Sequence, residues 1–145
     1  MKRLSSVLLM LVLAAFAVSC SGKGGGGGEK EKWPEKPADG APVAFEFVKL
    51  NGAGDELEAE FKIFNFEGKP VNKLFMKLHY LDASGKELKD FPWSAQAPEL
   101  VGAKKSARFE AGAFIPKETA SVKVTLREVG FKDGSQWTAP EKKAE

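Results

Sequence analysis

The stretch Leu74–Asp82, LFMKLHYLD, decides the fold. Leu74, Met76, Leu78 and Tyr80 share one parity, and Lys77 and His79 share the other. Successive side chains of a strand point to opposite faces, so this spacing predicts a strand with one buried and one wet face. The run ends in DASGK (82–86), which has the aspartate, serine and glycine of a tight turn. The same period returns on both sides. In ELEAEFKIFNF (56–66), Leu57, Ala59, Phe61 and Ile63 alternate with Glu58, Glu60 and Lys62. In SVKVTLRE (121–128), Val122, Val124 and Leu126 alternate with Lys123, Thr125 and Arg127. The turn sequences NGAGD (51–55), EGKP (67–70) and KDGS (132–135) punctuate the chain. This pattern predicts seven strands, near 43–50, 56–66, 71–82, 86–93, 103–110, 119–129 and 132–138. They form a single antiparallel, immunoglobulin-like β-sandwich over residues 41–139, 99 residues that suffice for one core.

The residues before the sandwich are of another kind. Lys2 and Arg3 precede an apolar run of 12 residues, Val7–Val18. A membrane span needs about 20, so the run is too short to cross and has the form of a signal peptide, 1–19. It closes on AVSC (17–20), where Cys20 is the one cysteine of the chain. AVSC resembles the lipobox of bacterial lipoproteins. That resemblance implies cleavage before Cys20 and a lipid on its sulfur, hence a membrane partner through the anchor and a cell-envelope address, the outer membrane ahead of the inner. SGKGGGGG (21–28) is flexible and EKEKWPEKPADG (29–40) is charged and proline-bearing. Residues 20–40 therefore read as a disordered tether of roughly 25 Å mean span, with Trp33 as an exposed aromatic, and 140–145 read as a disordered tail.

The residues IFNF, VNKLFMKLHYLDASGKEL, SARF and ASVKVTLREV are similar to the FxLYD-type domain of exported bacterial proteins. Leu78, Tyr80, Leu81, Asp82 and Gly85 stand in its signature strand and turn, and Asn65 matches an asparagine after its second strand. The resemblance implies an immunoglobulin- or fibronectin-like sandwich and no enzyme.

Composition narrows function. The chain has 22 Lys and Arg against 20 Asp and Glu, and Lys2 with Arg3 account for the whole excess. A neutral mature chain with interspersed charge does not predict nucleic-acid binding. His79 is the sole histidine and is expected to face solvent. Met76 and His79 lie three apart on a strand and point to opposite faces, so no catalytic residue, metal ligand set or cofactor is expected. The aromatics remain. Phe64 and Phe66 share parity with Glu60 and Lys62, so either a bulge turns them inward or they form an exposed patch. Alternation from an inward Leu88 would send Phe91 and Trp93 outward; a bulge near Asp90 would send them into the core. Phe64, Phe66, Phe91 and Trp93 are thus the candidate contact residues, Pro92 marks an edge strand, and Trp137 is expected to be the more buried of the last two tryptophans. These features predict a non-catalytic interaction or scaffolding module with an envelope-protein partner; the alternative is a small-ligand or glycan-binding module using exposed aromatics.

Overall fold

The structure, a computed structural model, describes residues 30–141, so the apolar N-terminal run, Cys20, the glycine run and the last four residues lie outside it. Seven strands follow in order: β1 (Val43–Asn51), β2 (Glu58–Asn65), β3 (Val71–Leu81), β4 (Glu87–Val101), β5 (Ser106–Ala111), β6 (Ser121–Phe131) and β7 (Gln136–Thr138). One 3-10 turn, Gly54–Glu56, joins β1 to β2. The strands form two antiparallel sheets, β1-β2-β5 and β4-β3-β6-β7. This is an immunoglobulin-like sandwich whose fourth strand belongs to the second sheet.

The period-two reading of β3 holds. Leu74, Met76, Leu78 and Tyr80 are fully buried, and they meet Ala59, Phe61 and Ile63 of β2 across the sandwich. The expected boundaries shift for local reasons. The fourth strand continues from residue 93 to Val101. As the outer strand of its sheet it tolerates Pro92 and Pro98, since a missing N–H on a free edge breaks no ladder. The fifth begins only at Ser106, after Lys104 turns through a left-handed φ of 53°. The seventh shrinks to three residues because KDGS (132–135) is itself the turn: Asp133 Oδ1 accepts from the Ser135 N–H at 2.9 Å, and Gly134 takes φ 86°. Trp137 is accordingly half-buried on a short edge strand, as Trp93 is on β4.

Two polar knots fasten the ends of the sandwich. At one end Asn65 is fully buried. Its Nδ2 donates to Lys69 O (2.9 Å) and Gly102 O (3.0 Å), and its Oδ1 accepts from the Glu67 N–H (3.0 Å). Its own N–H donates to Lys105 O, Lys104 N–H donates to Glu67 O, and Phe66 N–H donates to Pro42 O. One side chain therefore gathers the β2–β3 loop and the β4–β5 loop where β1 enters. At the other end the buried Tyr80 hydroxyl donates to Ala113 O (3.0 Å) and accepts from the Ala113 N–H (3.2 Å), tying β3 to the loop that follows β5. Burial pushes the Tyr80 phenol above its ordinary pKa. Gly112 is required beside it: φ is 119°, and a Cβ would lie 3.2 Å from the Tyr80 hydroxyl and 3.1 Å from Ile115 Cδ1.

Replacing Asn65 by alanine strands three part-buried main-chain groups. Each costs about 1–3 kcal/mol when left unpaired, so Asn65→Ala should lose about 3 kcal/mol in urea unfolding, whereas Lys117→Ala, at an exposed position of the loop 112–120, should change stability by less than about 0.5 kcal/mol.

Candidate functional site: an open cleft between two strand edges

The two long sides of the sandwich are built differently. On one side β4 and β5 lie next to each other, and aromatic rings fill the gap: Trp93 of β4 lies 5.8 Å from Phe109 of β5, which stacks at 5.7 Å on Phe61. The other side, between β1 and β6, stays open. β7 pairs only with Glu128–Gly130, so Ser121–Leu126 of β6 has no strand beside its outer edge among the described residues. Among the described residues β1 pairs with β2 alone. Between these edges is a cleft of about 650 Å³. Its walls are Val43, Phe45 and Phe47 from β1 and Val122, Val124 and Leu126 from β6, with Phe61 also lining it. Pro37, Asp39 and Ala41, from the segment entering β1, form part of the rim. Phe45, Phe47, Val124 and Leu126 are only half-buried, as residues on the lips of a core must be when nothing lies over them.

The edges themselves limit what enters. At Val48 the β1–β2 register slips by one residue, and Val48 is 36 % exposed. A bulge bends an edge and discourages pairing, so the regular edge of β1 is Val43–Phe47. β4, the edge on the far side of the second sheet, carries Pro92 and Pro98 and offers a broken ladder.

The residues singled out in the sequence fall elsewhere. Phe91 and Trp93 do not face solvent; both are half-buried against the core. The bulge lies at Leu88 rather than at Asp90. Tyr80 pairs with Lys89 and Leu81 with Glu87, which leaves Leu88 as the extra residue, 38 % exposed. Asp90 consequently points outward to Lys77 Nζ at 2.7 Å, and that ammonium lowers its carboxyl pKa. Phe64 and Phe66 also escape both alternatives. The pairing of β2 with β5 runs without a slip, so Phe64 keeps the outer face, yet it is fully buried. The ring of Trp33 covers it, edge-on at 5.4 Å from Phe64 and 5.4 Å from Phe66. Lys36 adds an ion pair to Glu67 at 2.9 Å. The end of the expected tether is thus folded onto the first sheet, and Trp33 is a half-buried packing residue rather than a free aromatic. Cys20 lies outside the described residues.

The structure also exposes a residue that alternation does not mark. Phe114, in the loop after β5, is 77 % exposed with a left-handed φ of 52°. Lys89 Nζ is 5.4 Å from its ring centre, and Phe91 lies 6.1 Å away. Beside it is a hollow of about 530 Å³ lined by Asp55, Glu56, Leu57, Glu58, Gly112 and Ala113. The Glu58 carboxyl is raised in pKa by its hydrogen bond to Glu110 and by the like charge there. Only the glycine beside it, at 112, hints at this loop in the sequence.

His79 keeps the outer face of β3 but is not a free surface residue. Its ring contacts Glu87 Oε2 at 2.7 Å through Nδ1 and Thr125 Oγ1 at 2.9 Å through Nε2, and its side chain is 19 % exposed. The ligand atoms of His79, Glu87 and Asp90 all lie within 4.8 Å of one another, a grouping that the 76-to-79 spacing gave no reason to expect.

No protein-family model and no curated protein matches the chain. Among solved structures, a DUF1425 family member from Shewanella sp. PV-4 is similar to it at 17 % identity, over 59 % of this chain and 76 % of that one, with a TM-score of 0.41. A likeness of that size carries no argument about what this chain does.

Removing the Trp33 ring uncovers Phe64. Trp33→Ala should cost about 2–4 kcal/mol, the burial of two aromatic faces with their edge-on contacts. Substitution of an aromatic on a free tether would leave the urea midpoint unchanged, so the shift in midpoint distinguishes the two.

Proposed function

We propose that this chain is a non-catalytic interaction module of the bacterial cell envelope, held to a membrane by a lipid on Cys20 and receiving an extended segment of an envelope protein in the β1–β6 cleft. The observation that carries the reading is the pair of free strand edges flanking an open cleft with apolar walls at Phe45, Phe47, Val124 and Leu126 and a polar rim at Asp39, Ser121 and Lys123. A peptide laid along Ser121–Leu126 would complete the β6 ladder with its main chain. Its alternate side chains would enter between Phe45, Phe47, Val124 and Leu126, the usual division of labour in strand addition. Regular main-chain groups without partners give affinity, and the bulge at Val48 and the prolines of β4 interrupt the edges of those two strands. The anchor rests on the lipobox-like AVSC and its charged and apolar lead. On this reading the address is the outer membrane ahead of the inner. The FxLYD-type resemblance agrees with an exported sandwich and adds no chemistry.

A second reading has its own observation. Phe114 offers an exposed ring beside a hollow, the arrangement expected of a stacking platform for a small ligand or a glycan.

Two experiments test the first reading. Cells fed an alkyne palmitate should label the chain, and label that survives in Cys20→Ala removes the anchor. A photo-crosslinking amino acid placed at Ala44 or Ser121, on the two lips, should yield one discrete adduct in intact cells, while the same group at Glu99 yields none. In that adduct the outer-edge amides of Ser121–Leu126, fast to exchange in the free chain, should become protected. Unchanged exchange there, with adducts at Phe114 instead, would favour the second reading.

A further inference from the structure

A polar cluster on the outer face of the second sheet, whose neighbours Lys123 and Thr125 also reach the rim of the cleft, has the composition of a metal site. We propose that His79, Glu87 and Asp90 bind a divalent transition-metal ion of zinc type. Two features support this, and a third limits its affinity. The first is how the cluster arises. His79 of β3 pairs directly with Asp90 of β4, which places both on one face. Glu87 is three residues before Asp90 and would face the other way on a regular strand. The extra residue at Leu88 resets the parity, bringing the Glu87 carboxylate onto the imidazole at 2.7 Å. The bulge does this while leaving Leu88 38 % exposed, an arrangement that packing alone does not favour.

The second is the orientation of the ring. Thr125 of β6 holds Nε2 at 2.9 Å from its hydroxyl oxygen. At 2.7 Å from Glu87 Oε2, Nδ1 carries a proton that it donates to that carboxylate; a metal ion would take that proton's place, with Nε2 then carrying the proton and donating it to Thr125. A metal-bound histidine is usually fixed in this way by a partner on its far nitrogen.

The third is that a cation already occupies part of the cluster. Lys77 Nζ lies 2.7 Å from Asp90 Oδ2. Its long stem can move aside, and its charge competes with a metal ion. Lys123, opposite His79 on β6, adds a second nearby positive charge. Both weaken binding, so the site is of the exchangeable kind. One imidazole with two carboxylates suits zinc, copper(II) or nickel better than calcium or magnesium, which prefer oxygen alone. Ligand distances of about 2.1 Å in a tetrahedral site separate ligand atoms by about 3.4 Å. The atoms here lie within 4.8 Å, and the two carboxylate side chains are 50 % and 43 % exposed, so side-chain rotation alone brings them into range. The fourth position is left to water.

The chain has one histidine, so its ring signals in a nuclear magnetic resonance spectrum are unambiguous, and a metal ion held elsewhere, on Cys20 for instance, does not move them. Zinc chloride added to the full chain in detergent micelles should shift the His79 ring signals saturably, with one equivalent bound at this site. The double variant Glu87→Gln/Asp90→Asn, which changes two exposed groups and keeps their shape, should weaken the fitted affinity at least tenfold. Lys77→Met should tighten it. Calcium chloride should leave the ring signals in place. Ring signals unmoved by zinc, full affinity in the double variant, or no tightening with Lys77→Met would each overturn the proposal.

Discussion

A single buried amide holds one end of this sandwich together. Asn65 has no access to water, and every polar atom of its side chain is paired with main chain from the loop after β2 or the loop before β5. Breaking the arrangement would orphan the amide and its partners together, so the two loops are held or released as a unit. The register of β2 follows. With Asn65 pinned, Phe61 and Ile63 face the second sheet and Phe64 must take the outer face. An aromatic ring on the outer face of a three-stranded sheet needs a cover, and Trp33 supplies it. The folded unit therefore begins before β1, at a tryptophan that composition assigns to a tether.

The opposite end is closed by Tyr80 and Gly112, so the two sheets are fixed to each other at both ends. Between the ends, Trp93, Phe109 and Phe61 fill the β4–β5 side. Among the described residues no such aromatic packing fills the side between β1 and β6. An open core in so small a domain forgoes burial that would otherwise stabilise it, since each Å² of apolar surface withdrawn from water contributes about 25 cal/mol. A binding partner would recover that contribution, which is why the cleft is the natural seat of the proposed interaction.

Bulges distribute the remaining chemistry. One at Val48 makes the second half of β1 unsuitable for pairing. One at Leu88 sends Phe91 and Trp93 inward, turns Asp90 out to Lys77, and brings Glu87 to His79. A single inserted residue thus changes a presumed aromatic contact surface into packing and creates a charged cluster in another place.

The alternation in 56–66, 74–82 and 121–128 determined the class of the fold and most of the core, because one buried face imposes period two on any strand, whatever its neighbours. The turns at 82–86 and 132–135 were legible for a similarly local reason: their aspartates bond main chain two to four residues away. The apolar run ending in AVSC is local too, and the proposed anchor rests on it alone. What tertiary structure alone decided is non-local. Whether Phe64 is exposed depends on Trp33, 31 positions earlier. The facing of Phe91 depends on the pairing of β4 with β3. The cleft exists only because β7 stops after three residues and leaves the β6 edge bare. Parity along a strand is set by bond geometry and survives in the sequence. Coverage of a face or an edge is set by which other segment arrives there, and no residue carries that information by itself.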